Sequence, residues 1–201
     1  MYTDDETKIS KTEEVSNKPS DGQEDQKASS WLYDWADALV YALIAIVLLF
    51  TLVFRMTGVV GGSMQPTLYE GDKLIISNLF YEPKAGDIIV LTKESFRKEP
   101  VVKRVIATAG QTVDIDKTTG LLYIDGVLQE EDYVNEKLMY KFGDMEFPLY
   151  VEEGHIFVMG DNRNGSTDSR YSELGLIDTR MVLGKVLFRV YPLTSIGSVY
   201  Q

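Results

Sequence analysis

A chain of 201 residues has room for one domain of ordinary size and an additional segment. Its 20 Lys and Arg stand against 31 Asp and Glu, and the resulting net charge of −11 excludes a general nucleic-acid binder, because phosphate backbones demand basic surface. With no Cys there is no disulfide framework, Cys-based zinc site or thiolate nucleophile, and a single His excludes a His-rich metal site.

Residues 1–30 hold four Lys, eight Asp or Glu and very few apolar groups, too little to offset the entropy of ordering. They read as disordered, within an acidic tail assigned to residues 1–36. The stretch has neither a basic n-region nor an apolar h-region, so it is not a cleavable secretory signal. Residues 38–54 then run 17 positions without a charge, between Asp34 and Asp37 on one side and Arg55 on the other. Residues 56–60 extend the apolar character. A helix of about 20 residues spans a hydrocarbon core of about 30 Å, so a transmembrane helix is expected over residues 37–57. The run is apolar all round, which argues against a surface helix packed on a soluble core. Trp31, Tyr33 and Trp35 lie where an aromatic belt meets the headgroups. Lys27 before the span and Arg55 directly after it leave the orientation undecided by charge.

Beyond residue 60 the pattern becomes short β-branched runs punctuated by turn residues. Strands are expected at 74–77, 87–92, 101–108, 112–116, 121–125, 155–160 and 182–191. Asp125-Gly126 between two apolar runs is a hairpin signal. The expectation is a mainly β fold: an antiparallel β domain over residues 58–201, anchored by one N-terminal transmembrane helix.

Three segments have chemical potential. GGSMQPTL, residues 61–68, sets Ser63 behind two glycines and before Pro66, a loop able to aim a hydroxyl and its own N–H at a carbonyl. Alone it is an ordinary turn or linker. In VVKRVIA, residues 101–107, alternation sets Lys103 and Arg104 on opposite faces among valines and isoleucine, so one cation has an apolar setting. A desolvated Lys favours its neutral, proton-accepting amine, whereas Arg keeps its proton. A strand Lys more commonly snorkels at an edge. GDNRNGSTDSR, residues 160–170, alternates Asp161, Arg163, Asp168 and Arg170 around a turn, with Ser166 available to orient a neighbour; by itself it reads as a salt-bridged surface hairpin. His155 opens a strand and has no GxSxG partner.

Taken in order behind a membrane anchor, SMQPTL (63–68), PKAGDIIVL (83–91), VVKRVIA and GDNRNGSTDSR closely resemble bacterial type I signal peptidases over residues 37–195. The single span resembles the Gram-positive form, and residues 118–151 resemble a reduced version of its variable β insertion. The resemblance implies a Ser-Lys dyad, with Ser63 as nucleophile and Lys103 as general base. It further implies that Ser166 orients the Lys, that Asp168 and Arg170 form a supporting charge pair, that Met64 and Pro66 hold the nucleophile loop, and that the Ser63 N–H is an oxyanion donor. Some members carry a Ser two residues before the nucleophile; here Gly61 stands there and offers no hydroxyl. Val59, Val60, Val101 and Val102 resemble substrate-pocket positions.

The activity so implied needs no cofactor and no metal. Its partners are secreted preproteins, cut after small residues in an A-x-A pattern, and the lipid bilayer, with no nucleic acid. The implied location is the cytoplasmic membrane, single-pass, with the catalytic domain on the extracellular face and the N-terminus cytoplasmic. A non-catalytic assembly chaperone on the same fold lacks Ser or Lys of the dyad, and both are present here. A self-cleaving repressor-type protease needs a DNA-binding domain, for which the acidic tail and the span leave no place.

Overall fold

The computed structural model describes residues 21–200. Its elements are the helix α1 (Asp21–Val53), followed by β1 (Phe54–Gly58), β2 (Lys73–Ser77), β3 (Ile88–Lys93), β4 (Arg97–Thr108), β5 (Thr112–Ile115), β6 (Leu122–Ile124), β7 (Val127–Leu128), β8 (Leu149–Tyr150), β9 (His155–Met159), β10 (Ile177–Asp178) and β11 (Val182–Tyr191). The chain divides into two units at Leu48 and Leu49.

Both expected limits of the helix shift. Of the acidic tail assigned to residues 1–36, residues 1–20 lie outside the described residues, while residues 21–36 are helical. After Gly22 no Gly or Pro interrupts the helix, so it extends well before the apolar run. At its other end the helix stops at Val53 rather than 57. Residues 54–58 instead pair with β2, from Phe54 opposite Ser77 to Gly58 opposite Lys73. Within α1, Tyr33–Thr51 is apolar over 19 residues, about 28 Å of helix.

The second unit is built on a seven-stranded sheet in the order β1-β2-β11-β3-β4-β9-β10 and a four-stranded sheet in the order β7-β6-β5-β8, with antiparallel pairing throughout. Period-2 alternation distributes the strands of the larger sheet between separate cores. In β3, Ile88 and Val90 pack with Met64, Leu68, Leu74 and Val102, while Ile89 and Leu91 pack with Val105, Ile156 and Val158. In β9, Phe157 and Met159 leave those partners and join Val113, Ile115, Leu122 and Ile124 of the smaller sheet. Strands buried on both faces read as continuous apolar runs, which is why the sequence showed β3 and β9 so plainly.

The expected Asp125-Gly126 turn closes the β6–β7 hairpin, with φ of 51° and 78° at the two positions, as a type I′ turn requires. Residues 129–148 contain no strand and brace the 160–170 loop. Glu131 pairs with Arg163 at 2.5 Å, the Lys137 carbonyl accepts from the Asn164 amide at 3.0 Å, and the Lys141 carbonyl accepts from Arg170 at 2.7 Å. Gly143 passes so close that a Cβ there would lie 2.0 Å from the Arg170 carbonyl oxygen.

Candidate active site

The loop carrying Ser63 is held from both ends. Val59 N–H donates to the Asp72 carbonyl and Gly71 N–H to the Val59 carbonyl, while Met64 and Leu68 are buried in the core. Ser63 therefore stands one residue ahead of an anchored side chain. The Gln65-Pro66 peptide bond is cis. From across the domain, Asn162 N–H donates to the Ser63 carbonyl at 3.0 Å and the Asn162 amide to the Gly62 carbonyl at 3.1 Å. Thr67 Oγ1 donates to Asp161 Oδ2 at 2.5 Å. The Ser63 N–H is committed to no partner among the described residues. Gly61 has φ of +79°, a backbone region that disfavours any side chain.

Lys103 projects from β4 opposite Ile89, is 3% exposed, and places Nζ 2.8 Å from Ser63 Oγ. Burial lowers its pKa from 10.5 to about 8; Asp168 opposes this, and the charges of Arg97 and Arg170 add to it. Arg104 is equally buried, so neither cation snorkels, and their partners distinguish them. Arg104 forms a bidentate pair with Asp161 at 2.8 and 2.7 Å and stacks 4.0 Å from the Tyr133 ring centroid. Lys103 has no carboxylate within ion-pairing distance among the described residues.

The 160–170 loop is not the surface hairpin that its composition suggests. Asp161, Arg163, Asn164, Ser166, Asp168, Ser169 and Arg170 are all buried. Arg170 binds Asp168 through Nε and Nη2 at 2.7 and 2.8 Å, and Gly160 N–H donates to Asp168 at 3.0 Å. Burial alone would raise the Asp168 pKa, but these donors hold it below the usual carboxylate value. Ser166 Oγ is buried and forms no hydrogen bond of ordinary geometry among the described residues, although its hydroxyl is close enough to the Asp168 carboxylate to contribute to its lowered pKa. The hydroxyl thus makes no bond to Lys103, whose amine bonds Ser63 instead. Gly160 explains how these groups converge. A Cβ there would lie 2.4 Å from both Ser63 O and Ser166 Oγ, so only glycine lets the loop close on Ser63.

A cleft of about 170 Å³ contains Ser63, Lys103 and Met64, together with Val59, Val60, Val101 and Val102. Pro66 and His155 do not line it; His155 Nδ1 lies 3.0 Å from the Glu153 carbonyl. Sequence reasoning missed Phe96, Arg97 and Thr167, which also line it. Phe96 closes the β3–β4 turn and Arg97 opens β4 directly after it, a stretch with no motif to announce it. An amine close to neutrality and within hydrogen-bond reach of a hydroxyl is equipped to take its proton and promote acyl transfer.

The family model described as signal peptidase, peptidase S26, matches residues 32–191. Signal peptidase I of Bacillus licheniformis is 36% identical over 178 residues, which cover 82% of this chain and 91% of the relative. Probable signal peptidase I-1 of Synechocystis is 34% identical over 171 residues, covering 80% and 83%. The crystal structure of a signal peptidase I from Enterococcus faecalis V583 is 34% identical, covers 52% of this chain and 97% of its own, and superposes with a TM-score of 0.43.

Proposed function

The chain belongs to the signal peptidase family S26 and is a serine peptidase that removes signal peptides, and from this membership we propose that it works through a Ser63–Lys103 dyad as a membrane-anchored endopeptidase. The observation that carries the dyad is the 2.8 Å contact between a buried amine and Ser63 Oγ. In its neutral form Lys103 accepts the Ser63 hydroxyl proton as Oγ bonds to the scissile carbonyl carbon. The oxyanion accepts a hydrogen bond from the uncommitted Ser63 N–H. On collapse, Lys103 returns the proton to the leaving amine, which departs as the new N-terminus. Water then attacks the acyl-enzyme, again giving a proton to Lys103, and as the bond to Ser63 Oγ breaks Lys103 returns that proton to Oγ, so that the signal peptide leaves as an acid that ionises to a carboxylate in solvent.

Asp168 and Arg170 hold the loop behind this pair, and Met64 anchors the nucleophile from the core side. Pro66 lies outside the cleft, and its part is to shape the loop. Val59, Val60, Val101 and Val102 offer the apolar wall that small side chains of an A-x-A sequence would meet. Tyr33–Thr51 is read as the membrane span, with the β domain outside the cytoplasmic membrane; sharing one surface with a bilayer-embedded signal peptide raises the effective concentration.

The test is cleavage of a preprotein by the detergent-solubilised full chain, with sequencing of the new N-terminus. Cleavage after A-x-A is expected from the wild type, whereas Lys103→Arg, which keeps the charge but cannot release its proton, is expected to match Ser63→Ala in a folded protein. Substantial cleavage by Lys103→Arg removes the dyad.

A further inference from the structure

Of the residues lining the cleft, only Lys103 and Arg97 carry charge. Lys103 is buried, whereas Arg97 is exposed and stands at the mouth. Arg97 opens β4 directly opposite Lys93, another cation, whose amine is drawn away to the Leu174 carbonyl. Among the described residues the Arg97 guanidinium makes no ion pair and no hydrogen bond, and it lies 5.8 Å from the centroid of the Phe96 ring, which lines the same cleft. Glu99 shares its strand face by alternation but neither pairs with it nor lines the cleft. The contrast with the buried arginines is plain: Arg104, Arg163 and Arg170 each have a carboxylate. In a chain of net charge −11, a guanidinium without one at the entrance to a concave site is a selective feature.

A fixed cation at such a mouth attracts a carboxylate and repels an ammonium as the peptide is drawn in. Its field extends to the reacting groups, since Arg97 is among the charges acting on Lys103. We propose that Arg97 is a specificity-determining residue that favours substrates bearing an acidic side chain close to the scissile bond, where the peptide crosses the β3–β4 turn, over substrates bearing Lys or Arg there. This rests on the proteolytic reading of the cleft.

The test uses the full chain in detergent and synthetic peptides with small residues at the first and third positions before the cut. Asp, Asn or Lys is placed singly at the second and fourth positions before the cut and at the first three after it. Each peptide is cleaved by wild type, Arg97→Gln and Arg97→Glu. Ratios of kcat/KM between peptides on one enzyme cancel any change in Lys103 basicity. At one or two adjacent positions the wild type is expected to prefer Asp over Lys by about five- to tenfold at low salt, with Asn between, and high salt to compress the ratio. Arg97→Gln should bring it to within about twofold and Arg97→Glu should reverse it. The same Asp-to-Lys ratio in all three enzymes overturns the assignment while leaving the protease intact. No cleavage of any peptide by the wild type overturns the proteolytic reading and this assignment with it.

Discussion

The burial that would suit Lys103 to the proposed role of base makes it, by the same physics, a burden on the fold. Its pKa of about 8 in the folded chain lies below the ordinary 10.5. Below pH 8 the amine is protonated in both folded and unfolded states, and the full penalty of about 3 kcal/mol applies. Between pH 8 and 10.5 the unfolded chain binds more protons, so this contribution to stability improves as pH rises. Lys103→Met is therefore expected to raise the thermal midpoint at pH 7, with the advantage narrowing towards pH 10.5, and to abolish cleavage. In the wild type, kcat/KM should climb about tenfold per pH unit below 8 and level off above it. A flat profile from pH 6 to 9, or a Met variant less stable than wild type at pH 7, would contradict the assigned environment. Ser166 separates stability from activity in a similar way. Its buried hydroxyl forms no hydrogen bond of ordinary geometry among the described residues, a situation that costs up to about 1 to 3 kcal/mol and that its proximity to Asp168 only partly offsets. Ser166→Ala should leave the thermal midpoint unchanged or higher while lowering turnover by about 10 to 10³, the range for groups that position a base. Unchanged kinetics would leave Ser166 with a packing role only.

The Ser63–Lys103 contact rests on three elements: the loop after β1 that carries Ser63, β4 that carries Lys103, and the loop after β9 that supports the Ser63 loop. Asn162 and Asp161 tie the third to the first, while Glu131 and the 137–145 backbone hold the third from behind. Residues 129–148 thus brace the 160–170 loop. Gly160 is the point of closest approach, and its need for glycine is one of space rather than of φ. Gly160→Ala forces a methyl into a backbone carbonyl that cannot swing aside as a side-chain end would. Cleavage should fall by about two orders of magnitude or more, since a displacement near 1 Å at a reacting group has that effect. Removing the Ser166 hydroxyl in the same chain should not restore it, because the clash with Ser63 O remains. Activity within about threefold of wild type, about 0.7 kcal/mol of barrier, would show that the loops can part without harm.

For the whole chain the proposed anchoring sets the topology to be tested. The Tyr33–Thr51 stretch is long enough to cross, and β1 begins directly after Val53. With the β domain outside, protease added to intact protoplasts should digest the domain after residue 58 and spare the N-terminal segment. Protection of the domain with loss of the N-terminus would reverse the proposed topology. The acidic balance argues against a nucleic-acid partner, and an Arg97 side chain with no carboxylate partner among the described residues gives the cleft a sign opposite to that of the chain as a whole.

Local chemistry settled much of this protein before any tertiary structure was considered. Short β-branched and apolar runs between turn residues marked seven strands, Asp125-Gly126 marked its hairpin because both residues accept φ above zero, and an uncharged run of 17 residues marked the helix. Motif order pointed to Ser63 and Lys103. The limits were equally physical. β1 reads as a continuation of the apolar helix and becomes a strand only because β2 is there to pair with it. β8 and β10 are two residues each, too short to show a period. Alternation could not tell Lys103 from Arg104, since both sit among apolar neighbours. The difference is Asp161, 57 residues further along, which neutralises Arg104 and leaves the lysine without a carboxylate. Nor could spacing reveal that a charged loop is buried, that Gly160 is a contact point, or that Arg97 reaches the cleft. Periodicity and turn preference act over a few residues and are written in the sequence, whereas burial, pKa and the partner of each charge depend on which distant segments the closed sheets bring together.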